Sequence, residues 1–159
     1  MRRMYSLNQI EEISKKTIEN ANSLKIFENI VDKDGHKRFI EDDITPNEIT
    51  GVSYTYAKWS LSGTHLLIVL AGSIANGTAI SGTIASIDLP SWIKSKLVPT
   101  YSTVVIRQND NIFASDGSTS QSALNVVAKI GDVVAVQSYI TATADRYFRY
   151  QFDILIDND

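Results

Sequence analysis

The run "RYFRYQFDILID", from Arg146 to Asp157, alternates without a break. Phe148, Tyr150, Phe152, Ile154 and Ile156 share one parity, and Arg149, Gln151 and Asp153 share the other. A period of two is the side-chain period of a β-strand with one face buried. No helix can sort those residues onto one side. Strand-like runs fill the chain from Gly51 onward, with turn residues between them. "VSYTYAKWSL" puts Tyr54 and Tyr56 on one face and Ala57, Trp59 and Leu61 on the other. "THLLIVLAG" is apolar on both faces, which suits a strand inside a sandwich. "TAISGTIASIDL", "YSTVVIR", "SALNVVAKI" and "VVAVQSYITAT" follow, punctuated by Ser62-Gly63, Asn76-Gly77, Pro90, Pro99 and Gly131-Asp132. About eight to ten short strands spaced this way predict an antiparallel β-sandwich of the jelly-roll kind.

The first fifty residues are different. "SLNQIEEISKKTIENANSLKIF" carries Leu7, Ile10, Ile13, Ile18, Ala21, Leu24 and Phe27 at helical spacing, with Ser6 as N-cap. A helix this short needs a partner for its stripe, either its own domain or copies of itself. Ser14 and Thr17 interrupt a heptad seam. Next, Asp34-Gly35 between Ile26–Val31 and Arg38–Ile40 predicts a hairpin. Glu41-Asp42-Asp43 and "ITPNEITG" read as a linker. The division expected is residues 1–50, helix plus hairpin for attachment or trimerisation, and residues 51–159, a β-sandwich head.

Composition narrows the function classes. Apolar residues make up 43% and charged residues 21%, enough for a core and too apolar for general disorder. Fifteen basic against 18 acidic residues give a net charge of −3. That balance gives no electrostatic pull toward nucleic acid. With no cysteine, disulfides and thiolate metal sites are excluded. "MRRMYSLNQI" lacks an apolar signal core, and "LLIVLA" is too short to span a bilayer. The expectation is a soluble chain without membrane insertion.

Several motifs invite chemistry and fail on their neighbours. In "LLIVLAGSIANGT" Gly72 and Gly77 have phosphate-loop spacing, but Thr78-Ala79 follows where Lys-Ser/Thr is needed. No helix start follows to hold an anion. A hairpin at Asn76-Gly77 is the expected structure. "IVDKDGHKRFIE" aligns Gly35, Asp32, Asp34 and Glu41 with a calcium loop, but Ile30 takes the first ligand position. The two histidines, His36 and His65, make no metal set within one subunit. No G-x-S-x-G elbow is present. Asp132, Asp153 and Asp157 read as solvated turn or terminal residues. No cofactor and no catalytic residue is expected.

The most site-like stretch is "RQNDNIFASDGSTSQ", Arg107 to Gln121. It reads as a long polar surface loop holding at most one short strand. Asn109, Asp110, Asn111, Asp116 and Ser118 suit hydrogen bonding to sugar hydroxyls. Trp92, between Pro90 and Pro99, either stacks on a sugar ring or plugs the end of the sandwich.

The hairpin in "LNVVAKIGDVVAVQSYI" is similar to the L-x-x-G-D-x-V strand pair of complement and tumour-necrosis-factor-like trimeric jelly rolls. The closing aromatic-aliphatic strand also suits that group. A short helix, a hairpin and a Gly/Ser/Thr/Ala-rich β head together resemble small fibre or receptor-binding proteins of tailed bacteriophages. The resemblance implies a non-enzymatic homotrimer, assembled in bacterial cytoplasm and carried on the virion. Its N-terminal region would meet other virion proteins, and its head loops a host surface glycan. Two other classes fit the same residues: a carbohydrate-active β-sandwich enzyme with an intersubunit cleft, and a cellular β-sandwich adhesion module.

Overall fold

The computed structural model describes residues 11–19, 35–37 and 39–156. The chain divides into two compact units, Met1–Arg38 and Phe39–Asp159. In the first, residues 11–19 form helix α1. Its Ile13 and Ile18 stay 53% and 61% exposed. The rest of the predicted stripe, and the arms of the predicted hairpin before Gly35, lie outside the described residues. Gly35 itself has φ +83°, the left-handed value that the Asp-Gly pair was read to supply.

The second unit is mainly β. Its elements are β1 (Phe39–Asp43), β2 (Val52–Ser62), β3 (His65–Ile74), β4 (Ala79–Ile87), the short helix α2 (Ser91–Lys96), β5 (Val104–Ala114), β6 (Ser120–Ile130), β7 (Val133–Thr141) and β8 (Arg146–Leu155). All eight strands join one curled antiparallel sheet in the order β1-β2-β3-β8-β5-β6-β7-β4. This is the antiparallel architecture expected, and the curl is compatible with a jelly roll. The halves β1-β2-β3-β8 and β5-β6-β7-β4 enclose one core. Trp59, Leu66, Ile68, Leu70, Phe148, Tyr150 and Phe152 fill it from one half, and Ile84, Ile112, Val127, Val134 and Val136 from the other.

The alternation of β8 is realised as read: Phe148, Tyr150, Phe152 and Ile154 are buried and the residues between them are exposed. Burying each such side chain stabilises by about 1.5–3 kcal/mol. β3 is central, flanked by β2 and β8. Its apolar residues on both parities follow from that place, with Leu66, Ile68 and Leu70 fully buried and Val69 4% exposed on the other face.

Four local readings are corrected. Glu41-Asp42-Asp43 is not linker but strand: it pairs with Ser60, Trp59 and Lys58. Lys58 Nζ lies 2.6 Å from Glu41 and 3.6 Å from Asp43, so one cation offsets part of the acidic charge on this edge strand. Tyr54 and Tyr56 do not share a face. A bulge between them shifts the register, pairing Tyr54 with Gly72 and Tyr56 with Ala71. Tyr54 turns inward, edge-on to Phe148 at 5.9 Å, and Tyr56 stays exposed. The Asn76-Gly77 turn is not a hairpin, because β3 pairs with β8 and β4 with β7. The turn carries the chain from one half of the sheet to the other. Gly77 N–H and Thr78 C=O bond the Ala142 backbone there. Finally, the long polar loop is two eleven-residue strands, β5 and β6, joined by a turn over residues 115–119.

The curl is closed by the segment after β1. Ile44 N–H bonds Ala57 C=O, and two residues later Pro46 bridges to Ala85 of the far edge strand β4. Asn47 fastens it, backbone N–H to Ile84 C=O at 2.8 Å and Nδ2 to Thr83 C=O at 3.0 Å. Pro46 lacks an N–H, so an edge is where the sheet tolerates it. At one end α2 buries Ile93 and is flanked by buried Leu89 and Leu97. At the other end two strands come very close: a Cβ built on Gly72 would collide with the Ser53 carbonyl oxygen. Gly72→Ala is therefore expected to destabilise the fold by about 2 kcal/mol in urea unfolding.

Tyr54 gives the stability a pH signature. Partial burial first, and the neighbouring Tyr150 second, raise its phenol from 10.0 to about 12. Between those values the folded protein keeps a proton that the unfolded chain has lost. Stability from this group is intact below pH 10 and falls as pH rises toward 12. The urea midpoint should drop between about pH 9 and pH 11, and less so in Tyr54→Phe.

Candidate end cleft beside the turn between β5 and β6

β8 begins with Asp145-Arg146-Tyr147, and three neighbours converge on that start. They are the entry to β2 (Gly51, Val52, Ser53), the exit of β3 (Ser73, Ile74, Ala75) and Ser115 after β5. Together they line an open cleft of about 590 Å³. It lies at the end of the sheet opposite α2, because β8 starts where β3 and β5 finish.

Arg146 builds one wall. It falls on the inward parity of β8 with Phe148 and Tyr150 and is 6% exposed. Its Nη1 donates to Thr119 C=O and Thr119 Oγ1, both at 2.8 Å, and Nη2 donates to Thr143 Oγ1 at 3.3 Å. Every acceptor is a neutral oxygen, and Nε has no partner among the described residues. A buried guanidinium spent on backbone and threonine oxygens is a clamp on the turn between β5 and β6. That turn is also braced from within. Asp116 Oδ1 accepts the Ser118 N–H at 2.9 Å, and bonds from Ser118 are the main reason its carboxyl titrates below the usual range. Asp145 Oδ1 accepts the Asn76 N–H at 2.8 Å, tying the cleft to the turn between β3 and β4.

The outer face beside the cleft carries a row across four strands. Ser53 pairs with Ser73, Ser73 with Tyr147, and Tyr147 with Phe113. Residues in register share a face, so two hydroxyls and two aromatic rings stand side by side. Tyr147 is 58% and Phe113 47% exposed.

The residues singled out from sequence are not one site. Trp92 lies on α2 at the far end, packed against the core, with Lys96 Nζ 5.7 Å from its ring centroid. Asn109 and Asn111 point outward from β5, opposite Leu124 and Ser122. Asp110 points the other way, into the seam between the halves, where its Oδ2 accepts Gln108 Nε2 and Asn125 Nδ2, both at 2.8 Å. Only Asp116 and Ser118, on the turn, stand next to the cleft. Asp145, Arg146 and Tyr147 were passed over as the start of a strand. The available signal was Arg146 itself, a charged residue on a parity otherwise filled by Phe148, Tyr150 and Phe152.

Among the described residues no three His, Asp or Glu side chains gather to hold a metal ion. No helix among them is long and apolar enough to cross a membrane. Comparison with protein-family models and with curated proteins finds no match to this chain.

Removing the guanidinium takes away the side-chain bonds that tie Thr119 and Thr143 to β8 and leaves a void at a 6% exposed position. Arg146→Ala is expected to lower stability by about 2 kcal/mol and to make the 115–119 turn the first site of limited proteolysis. Cleavage that stays elsewhere would contradict the clamp.

Proposed function

We propose that this protein is a non-enzymatic, homotrimeric fibre or receptor-binding protein of a bacteriophage virion, with its head contacting a host surface ligand. One observation carries the reading: the β unit has two chemically different ends. The exposed large aliphatic side chains of this unit gather toward the α2 end, whereas the exposed rings beside the cleft are Phe113 and Tyr147. Val98 and Tyr101 stand 77% and 72% exposed, beside Ile130 and Val133 at the turn from β6 to β7. Phe39 and Leu155 lie at the same ends of their strands, joined through Ser62 and His65 in one register row. Exposed apolar surface of this kind favours contact with protein, sister copies included. The opposite end carries the polar cleft.

This polarity is what a fibre head needs. Phe39, the first residue of the β unit, lies at the apolar end. The ligand contact is assigned to the polar end. Three weak contacts held together raise avidity without any strong single site. The layout read from the sequence, a helix, an expected hairpin and a β head, resembles small phage receptor-binding proteins and points the same way. The reading assigns no cofactor, nucleic acid or membrane insertion to the protein.

Light scattering at micromolar concentration is expected to return three times the 17.6 kDa protomer mass. Charged substitutions at the apolar end, Val98→Asp with Val133→Asp, should shift that mass toward the protomer. A parent protein that is monomeric, or that turns over a bacterial wall polysaccharide, would overturn the proposal.

A further inference from the structure

We propose that the end cleft is a saccharide-binding site, with the Tyr147 ring as its stacking surface and Asp145 as its principal hydroxyl acceptor. This rests on the reading of the protein as a surface-contact protein and names the chemistry of the contact.

The cleft holds polar atoms that the fold does not use. The hydroxyls of Ser53, Ser73 and Ser115 bond nothing among the described residues. Neither does the Tyr147 hydroxyl. Asp145 spends Oδ1 on the Asn76 N–H and keeps Oδ2. These groups surround an exposed aromatic ring, with the Phe113 ring next in the row. A pyranose offers the complement, an apolar face of C–H groups for a ring and a rim of hydroxyls for short polar side chains. The charge pattern favours a neutral sugar over an anionic one. Asp145 lines the opening and Asp116 follows Ser115 on the adjoining turn, while the guanidinium of Arg146 is buried and committed to Thr119 and Thr143.

The rim is also held in place. Ser115 and Asp116 sit on the turn that Arg146 clamps, and Ser53 and Ser73 sit on ladder positions of β2 and β3. Binding therefore orders little that is not already ordered, which matters for a weak site used in several copies.

An array of bacterial surface oligosaccharides, probed with the intact protein, supplies the test. The parent protein should bind at least one neutral saccharide. Tyr147→Ala and Asp145→Asn should each weaken that binding at least tenfold, and Tyr147→Phe, which keeps the ring, should retain most of it. Circular dichroism confirms that the variants fold, and Tyr147, being mostly exposed, leaves the core untouched. Absence of binding to any saccharide on the array overturns the proposal. So does binding that survives both weakening substitutions, or a loss that falls instead on Asn109→Ala with Asn111→Ala. A protein that is trimeric and adheres to bacteria whose glycans have been destroyed by periodate keeps the fibre reading and loses the saccharide site.

Discussion

Everything in the β unit depends on the ladder between β3 and β8. Ten consecutive residues of one pair with ten of the other, from His65–Leu155 to Ile74–Arg146. The partners are separated by most of the length of the unit. This ladder brings the long apolar run of β3 beside the alternating strand β8, and their inward residues make the floor of the core. It also carries the closing strand back beside β5, which brings the second half of the sheet over the first. Long-range pairing of this kind is slow to form, because a large loop must close before any contact rewards it. The pairing of β4 with β7, from Ala79–Thr141 to Ile87–Val134, is long-range as well.

The sequence was most legible where one face of a strand is apolar and the other is not. β8 is the clearest case, and β3 announced a central place through its two apolar faces. The text was misleading where a strand is polar on both sides. β5 reads as loop because Gln108 and Asp110 occupy inward positions that an ordinary sandwich strand would fill with Val or Ile. They are tolerated because β5 pairs with β8 at only Phe113–Tyr147 and Ala114–Arg146 and then diverges. In the gap the polar side chains satisfy one another, and Gln108 Nε2 reaches the Gln151 carbonyl at 2.9 Å. The bulge at Tyr54 was hidden for a similar reason. Alternation states which residues should share a face and says nothing of an inserted residue.

The end cleft was the least legible part. It is assembled from three strand termini and one turn that are distant in sequence, and four of its ten lining residues are serine or glycine, which carry no pattern. Its clamp works through neutral oxygens, so no charge pairing in the sequence marked it. The residues that did look functional were polar because they lie at a seam, on an outer face or in a turn. Polarity in a β chain thus has several causes, and only topology separates them.

The narrow join between β5 and β8 has a mechanical consequence. Across every other long boundary in the sheet, separation means breaking a ladder of backbone bonds. Here two register pairs and one glutamine side chain hold the line, above a buried Asn125 whose Oδ1 has no partner among the described residues. The two halves are therefore leaves pinned at one end of this boundary and clipped again where Pro46 and Asn47 bond the far edge strand. Breathing of the native state starts at the pin. Amide exchange is expected to be faster where β5 and β8 diverge than at the inner positions of the ladder that β8 shares with β3.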